Sequence, residues 1–238
     1  MISLTELQTN FATNSSQASR IQYRCLTNLD IYDSPKCERL ATQAAKNRNL
    51  CIHSLETDTL KIELCEDNYP GWLTLEQLKN LETSKTPYQP VSVSQQEIQQ
   101  RLPQVIAFTH NAMKTPNEYL WGGTIAPNYD CSGLMQAAFL AVGIWLPRDA
   151  YQQEAFTKPL KISELQPGDL IFFGNPQKAT HVGLYLGENK YIHSSGKEIG
   201  RNGIGIDILS ETGDEVSRAY YKQLRGFGRV IKSYFPSF

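Results

Sequence analysis

The chain has 238 residues, with 23 Lys plus Arg against 24 Asp plus Glu and a formal net charge of −1. That length fits one or two domains, each with a core of its own, and the balanced charge offers no basic surplus to neutralise phosphates, which excludes a nucleic-acid partner at the level of composition. Hydrophobic residues make up 40% of the chain, yet no run of about 18 apolar residues occurs, so no bilayer-spanning helix is expected.

The first residues, MISLTELQTNFATNSSQASR, lack a basic segment followed by a continuous apolar core and do not read as a secretion signal. With Met1 as the start, a cytoplasmic protein is expected. Residues 8–19 are rich in Ser, Thr, Asn and Gln, which predicts a flexible N-terminus over 1–19. Four of the five cysteines come early, at Cys25, Cys37, Cys51 and Cys65. Two disulfides are the alternative reading. Without a secretion signal these cysteines are read as buried apolar thiols, and no C-x-x-C pair suggests zinc.

Residues 20–82 hold short β-type runs at 21–26, 50–53 and 60–65, with turn signals at Asp33-Ser34-Pro35 and Tyr69-Pro70-Gly71. Several short strands in so little chain predict a small all-β barrel. Residues 83–96 carry two prolines and little that packs, so they read as a linker to a second domain over 97–238. There the period changes. Ile98, Leu102, Val105, Ile106 and Met113 share a helix face, although Pro103 sits early in it. After the loop Tyr119-Leu120-Trp121-Gly122-Gly123, the residues Leu134, Met135, Ala138 and Val142 form a second helical stripe, and Gly143 ends it. Strands are predicted at Leu170–Phe173, His181–Leu186, Tyr191–Ser194 and Phe227–Ile231. Helices followed by strands give an α+β domain with an antiparallel sheet.

The candidate chemistry centres on Asp130-Cys131-Ser132-Gly133. Asp130 is a strong N-cap residue, so Cys131 falls in the first helical turn, where partial positive charge favours thiolate. The loop with Gly122, Gly123 and Pro127 is expected to leave the sulfur exposed, an arrangement that suits a nucleophile. Of the four histidines, His53 and His110 read as structural or surface residues. In His181-Val182-Gly183-Leu184-Tyr185, alternation puts His181, Gly183 and Tyr185 on one face. A three-residue loop at Gly187–Asn189 would pair Leu186 with Lys190 and Gly183 with His193. His193 would then lie diagonal to His181 on the same face, about 7–8 Å away at the backbone. A two-residue loop would send the two rings to opposite faces, so an odd-length loop is predicted.

In this reading Cys131 attacks a carbonyl carbon. His181 pairs with the thiolate and later protonates the leaving amine, and His193 holds the His181 ring. The Cys131 backbone N–H and the Tyr119 hydroxyl are candidate oxyanion donors. One Cys and two His would also suit zinc with an open fourth position. A helix-start cysteine fifty residues from His181 fits a nucleophile better, so neither metal nor cofactor is expected.

Six segments together resemble the NlpC-type cell-wall cysteine peptidases. They are Tyr119-Leu-Trp-Gly-Gly, Asp130-Cys-Ser-Gly-Leu, Leu146-Pro-Arg-Asp, Pro167-Gly-Asp-Leu, His181-Val-Gly-Leu-Tyr-Leu-Gly and Tyr191-Ile-His-Ser-Ser-Gly. Asp67-Asn-Tyr-Pro-Gly-Trp-Leu resembles the bacterial SH3-type domain that often precedes them. The resemblance implies a papain-like catalytic domain behind an SH3-like barrel, with Cys131, His181 and His193 as the catalytic triad. It implies cleavage of the γ-D-glutamyl–diamino acid bond in peptidoglycan-derived tri- and tetrapeptides such as L-Ala-γ-D-Glu-diaminopimelate, in murein recycling. It also implies a requirement for a free N-terminal L-alanine, whose ammonium would meet Tyr69, Asp130, Ser132 and Asp149. Each has a duller role: Asp130 and Asp149 as helix caps, Ser132 as a cap or solvent-facing residue, Tyr69 as barrel core. An acyltransferase or amidase with the same triad, and a non-catalytic wall-binding protein, are the alternatives. No nucleic-acid or membrane partner is expected, and a monomer is assumed.

Overall fold

The computed structural model describes residues 2–13 and 21–236. The chain divides into two compact units, one holding the chain up to Pro90 and the other running Val91–Tyr234.

The first unit begins with a helix, α1 (Leu4–Thr13), where the sequence predicted a flexible segment. Ile2 and Leu7 are buried in the same apolar cluster as the strands, with Phe11 packed against it, and that anchorage outweighs the polar composition of the segment. Residues 14–19 of the expected flexible stretch lie outside the described residues. Seven strands follow: β1 (Gln22–Cys25), β2 (Leu29–Tyr32), β3 (Leu40–Ala44), β4 (Asn49–Glu56), β5 (Thr59–Leu64), β6 (Tyr69–Thr74) and β7 (Leu81–Thr83). They form one antiparallel sheet in the order β3-β2-β6-β5-β4-β1-β7. In β5 the alternation is clear: Leu60, Ile62 and Leu64 are buried, and Lys61 and Glu63 point away from the core. The core is mainly aliphatic, with Tyr23 and Cys25 among it, and a buried ionic cluster accompanies it. The Arg48 guanidinium donates to Glu66 at 3.1 Å and to Asp67 at 2.8 Å, while Glu66 also accepts from the Asn49 backbone N–H.

The second unit opens with α2 (Gln95–Lys114). A reciprocal capping box between Ser94 and Glu97 starts it, and it continues through Pro103, whose ring faces outward. A short hairpin, β8 (Thr124–Ile125) and β9 (Asn128–Tyr129), leads into α3 (Cys131–Leu140), followed by α4 (Ala150–Phe156). The remaining elements are β10 (Lys158–Leu160), β11 (Leu170–Gly174), β12 (Ala179–Gly187), β13 (Lys190–Ser195), β14 (Gly203–Ile208), α5 (Glu215–Tyr221) and β15 (Leu224–Arg229). The six strands form an antiparallel sheet in the order β10-β15-β11-β12-β13-β14. The strand alternation feeds two cores. Leu170, Phe172, Val182, Leu184 and Ile192 pack with α2 and α3, whereas Ile171, Phe173, Tyr185 and Tyr191 pack with Tyr220 of α5. Both faces are therefore covered, which explains why these strands read as nearly continuous apolar runs.

Candidate active site

Asp130 caps α3 as its sequence position predicts, accepting the Gly133 N–H at 2.7 Å and the Gly122 N–H at 2.9 Å. Gly133 has a packing reason to be glycine. A Cβ there would sit 2.0 Å from the Gly123 carbonyl oxygen, so the tight fit of this loop on the helix needs the bare residue. Tyr119 of the same loop lies near Cys131. The sulfur is buried, not exposed as the glycine-rich loop suggested, and its residue belongs to the apolar cluster of α2 and α3. Burial, with help from the Asp130 carboxylate, pushes the Cys131 thiol up to about 12, despite backbone N–H donors from Val182 and Ser132. Desolvation thus acts against the thiolate expected from the partial charge of the first turn.

The histidines are brought together by a route different from the predicted one. The loop is two residues long, Glu188–Asn189, both at positive φ, and Gly187 pairs with Lys190. A two-residue loop alone would reverse the faces. A bulge between Tyr185 and Gly187 leaves Leu186 out of the ladder and restores the register, so that Tyr185 pairs with Tyr191 and Leu184 with Ile192. The same register continued places Gly183 opposite His193. A Cβ on Gly183 would lie 2.7 Å from Tyr191 Cδ2 and 3.4 Å from His193 Cβ, so glycine here leaves room for the pair. His181 Nε2 and His193 Nδ1 are 2.6 Å apart. Direct contact between these two nitrogens leaves no space for an ion between them.

His193 continues outward to a residue the sequence reading did not single out. Its Nε2 is 2.7 Å from Asp207 Oδ2, and both side chains are fully buried. Asp207 also accepts from Arg201 and from Ser217 Oγ at 3.2 Å. Burial alone would push its carboxyl up, but the hydrogen bonds from His193 and Arg201 prevail and hold it below the usual carboxylate range. Burial lowers His181 well below 6.5, with a further contribution from His193, and burial lowers His193 against the pull of Asp207. Tyr220 is the other unforeseen neighbour. Its ring stacks on His181 at 4.4 Å, and the Cys131 side chain is among the groups that raise its phenol. Cys131 thus meets the residue after His181 through the Val182 N–H and shares Tyr220 with the His181 ring. The only sequence signals were an isolated acid in the alternating apolar run Gly203–Ile208 and a Tyr-Tyr pair ahead of the last strand.

Residues 116–224 match the model of the NlpC/P60 family, and residues 31–78 match the model described as the bacterial dipeptidyl-peptidase Sh3 domain. The chain carries an NlpC/P60 domain behind an SH3 domain of that type. Among similar proteins, a probable endopeptidase p60 of Listeria seeligeri is 38% identical over 112 residues, covering 47% of this chain and 19% of its own length. The gamma-D-glutamyl-L-lysine dipeptidyl-peptidase of Bacillus subtilis (strain 168) is 39% identical over 97 residues, 40% of this chain and 31% of its own. Dipeptidyl-peptidase 6 of Lysinibacillus sphaericus is 38% identical over 111 residues, 44% of this chain and 38% of its own. The match thus spans between about a fifth and two fifths of these relatives.

Within the NlpC/P60 domain, Tyr119 lies near Cys131. Burial, then the nearby Cys131 and Asp130, raise its phenol, which keeps the hydroxyl protonated as a donor. Asp130 is more heavily used than a simple cap. The buried Arg148 guanidinium grips it from two nitrogens, at 3.1 and 2.6 Å, and also donates to Ser132 Oγ at 3.0 Å. The Asp130 charge is therefore balanced by Arg148, and a ligand ammonium at this point would meet a neutralised carboxylate. Asp149 sits half-buried at the N-cap of α4, where its backbone N–H donates to the Gln152 side chain at 3.0 Å. Tyr69 starts β6 in the SH3 unit, half-buried and packed against that unit's apolar cluster.

Proposed function

We propose that this chain is a cysteine peptidase that hydrolyses the γ-D-glutamyl–diamino acid bond of peptidoglycan-derived peptides. The observation that carries the reading is the direct contact of His181 Nε2 with His193 Nδ1, beside a cysteine at the start of a buried helix. The relatives named as a gamma-D-glutamyl-L-lysine dipeptidyl-peptidase and a dipeptidyl-peptidase support the substrate class. Cys131 is the nucleophile. Because burial favours both the thiol and the neutral imidazole, His181 acts as a general base that takes the thiol proton as the sulfur attacks. The protonated ring then returns that proton to the leaving amine, and water releases the acyl group from sulfur. His193 orients His181, and the Cys131 N–H with the Tyr119 hydroxyl receives the developing oxyanion.

A preference for a free N-terminal L-alanine is part of the proposal. Asp149 and Ser132 supply its acceptors, with Arg148 holding Ser132 and Asp130 in place. The test is incubation of the purified chain with L-Ala-γ-D-Glu-diaminopimelate. Release of L-Ala-D-Glu by the wild type but not by Cys131→Ala is expected. An intact tripeptide in both samples would end the peptidase reading. An N-acetylated tripeptide should resist cleavage, and its efficient turnover would remove the ammonium requirement alone.

A further inference from the structure

We propose that Asp207 is a positioning residue that dictates which nitrogens of His193 and His181 carry protons, and so makes Nδ1 of His181 the nitrogen that receives the Cys131 proton. The proposal rests on the cysteine-peptidase reading above. It follows from hydrogen-bond accounting along a buried row of side chains. An ionised carboxylate only accepts hydrogen bonds. Asp207 Oδ2 faces His193 Nε2 at 2.7 Å, so that nitrogen must carry the proton. In a neutral ring the other nitrogen is then bare, and His193 Nδ1 becomes an acceptor. Its partner at 2.6 Å is His181 Nε2, which must therefore be the donor. His181 is left with a bare Nδ1, the form a general base requires.

Asp207 is itself held so that it cannot turn away. Its other oxygen, Oδ1, accepts from the Arg201 guanidinium and from Ser217 Oγ at 3.2 Å, and Arg201 is tied further to Asp214. The strand register explains how it arrives there. β13 and β14 pair Tyr191 with Asp207 and His193 with Gly205, which sets Asp207 diagonal to His193 on the same face. The carboxylate, His193 and the His181 nitrogen that meets it are all buried, so water cannot easily supply an alternative proton pattern.

Asp207→Asn inverts the pattern without changing the shape. Arg201 Nη2 and Ser217 Oγ donate to Oδ1 and retain the amide oxygen there; the long Arg201 Nε contact to Oδ2, 3.4 Å, is given up, and the amide N–H₂ turns to His193 Nε2. His193 must then carry its proton on Nδ1, and His181 must accept at Nε2 and carry its own proton on Nδ1, facing away from the base role. In ¹⁵N NMR spectra of histidine-labelled protein, the wild type should show protonated Nε2 on both rings, and the variant protonated Nδ1 on both. With the tripeptide, kcat of the variant should fall on the order of 10²–10⁴-fold, the usual worth of general acid–base help, while KM stays near the wild-type value. A folded variant with the wild-type protonation pattern overturns the proposal, as does an inverted pattern with undiminished kcat. Should the variant fail to fold, the wild-type spectrum decides, because a proton on His181 Nδ1 contradicts the accounting. If the wild type itself does not cleave the tripeptide, the peptidase reading fails, while the spectra still judge Asp207 on its own.

Discussion

Cys25 in the SH3 unit and Cys131 in the NlpC/P60 unit are both buried, and in both burial pushes the thiol up to about 12. Burial acts on the two sulfurs in the same direction. Their neighbours differ. Cys25 sits among Leu and Ile side chains with the Arg48 cluster at its edge, whereas Cys131 meets a strand that presents a hydrogen-bonded pair of histidines. In the proposed mechanism Cys131 is set apart from Cys25 by the histidine pair on the strand it meets, and burial acts against a lowered acidity in both.

The largest expected effect separates the two directly. Cys131→Ala should reduce tripeptide cleavage by about 10⁴-fold or more, because the covalent route is lost. Cys25→Ala should leave kcat unchanged and lower stability by about 1 kcal/mol for the lost buried atom, read by denaturant unfolding. A Cys25 variant as inactive as the Cys131 variant would break the comparison.

The two buried arginines sharpen it next. Arg148→Met strands the Asp130 carboxylate without its partner, and a loss of about 3–5 kcal/mol is expected in denaturant unfolding. Arg48→Met strands Glu66 and Asp67 in the same way, with a loss of similar size in the SH3 unit. Only the Arg148 change is expected to lower kcat as well, because Asp130 also caps the helix that carries Cys131. A smaller effect is predicted for Gly183→Ala, whose new methyl would meet Tyr191 Cδ2 at 2.7 Å. A loss of roughly 1–3 kcal/mol should appear as a lower Tm, together with reduced kcat from the displaced His193.

The smallest effect is in pH dependence. The base form of His181 is the neutral ring, and its folded pKa lies below 6.5, chiefly through burial. Activity should therefore persist as pH falls past 6.5 and drop only on passing the depressed value. Stability follows the same groups. Below 6.5 the unfolded chain takes up protons that the folded histidines refuse, so stability declines as pH falls from there toward the folded values. A kcat/KM profile whose acid limb sits at or above 6.5 would oppose this.

Much of the fold was legible because both units obey simple periodicities. The alternation in β5 and β12 and the helical stripes of α2 and α3 fall where the apolar spacing puts them. The shared face of His181 and His193 was also legible, but the device that secures it was not. A bulge at Leu186 offsets a two-residue turn, and an apolar residue out of the ladder looks in sequence like one within it. Helix α1 was hidden by its polar composition, since its attachment depends on a few side chains entering a distant core. Asp207 and Tyr220 were missed because their roles come from pairing and packing between segments well apart in the chain. The exposure of Cys131 was misread for a related reason. A helix start is visible in four residues, whereas desolvation is the work of the whole surrounding core.

The central claim is that Cys131 and His181 rest as a neutral thiol–imidazole pair. It is tested most directly by the difference in ultraviolet thiolate absorbance between wild type and Cys131→Ala, followed across pH. The account predicts no thiolate step between roughly pH 3.5 and pH 7.5, where an activated thiolate would titrate. A thiolate signal already present at neutral pH and lost on acidification would mean a resting ion pair and would contradict it.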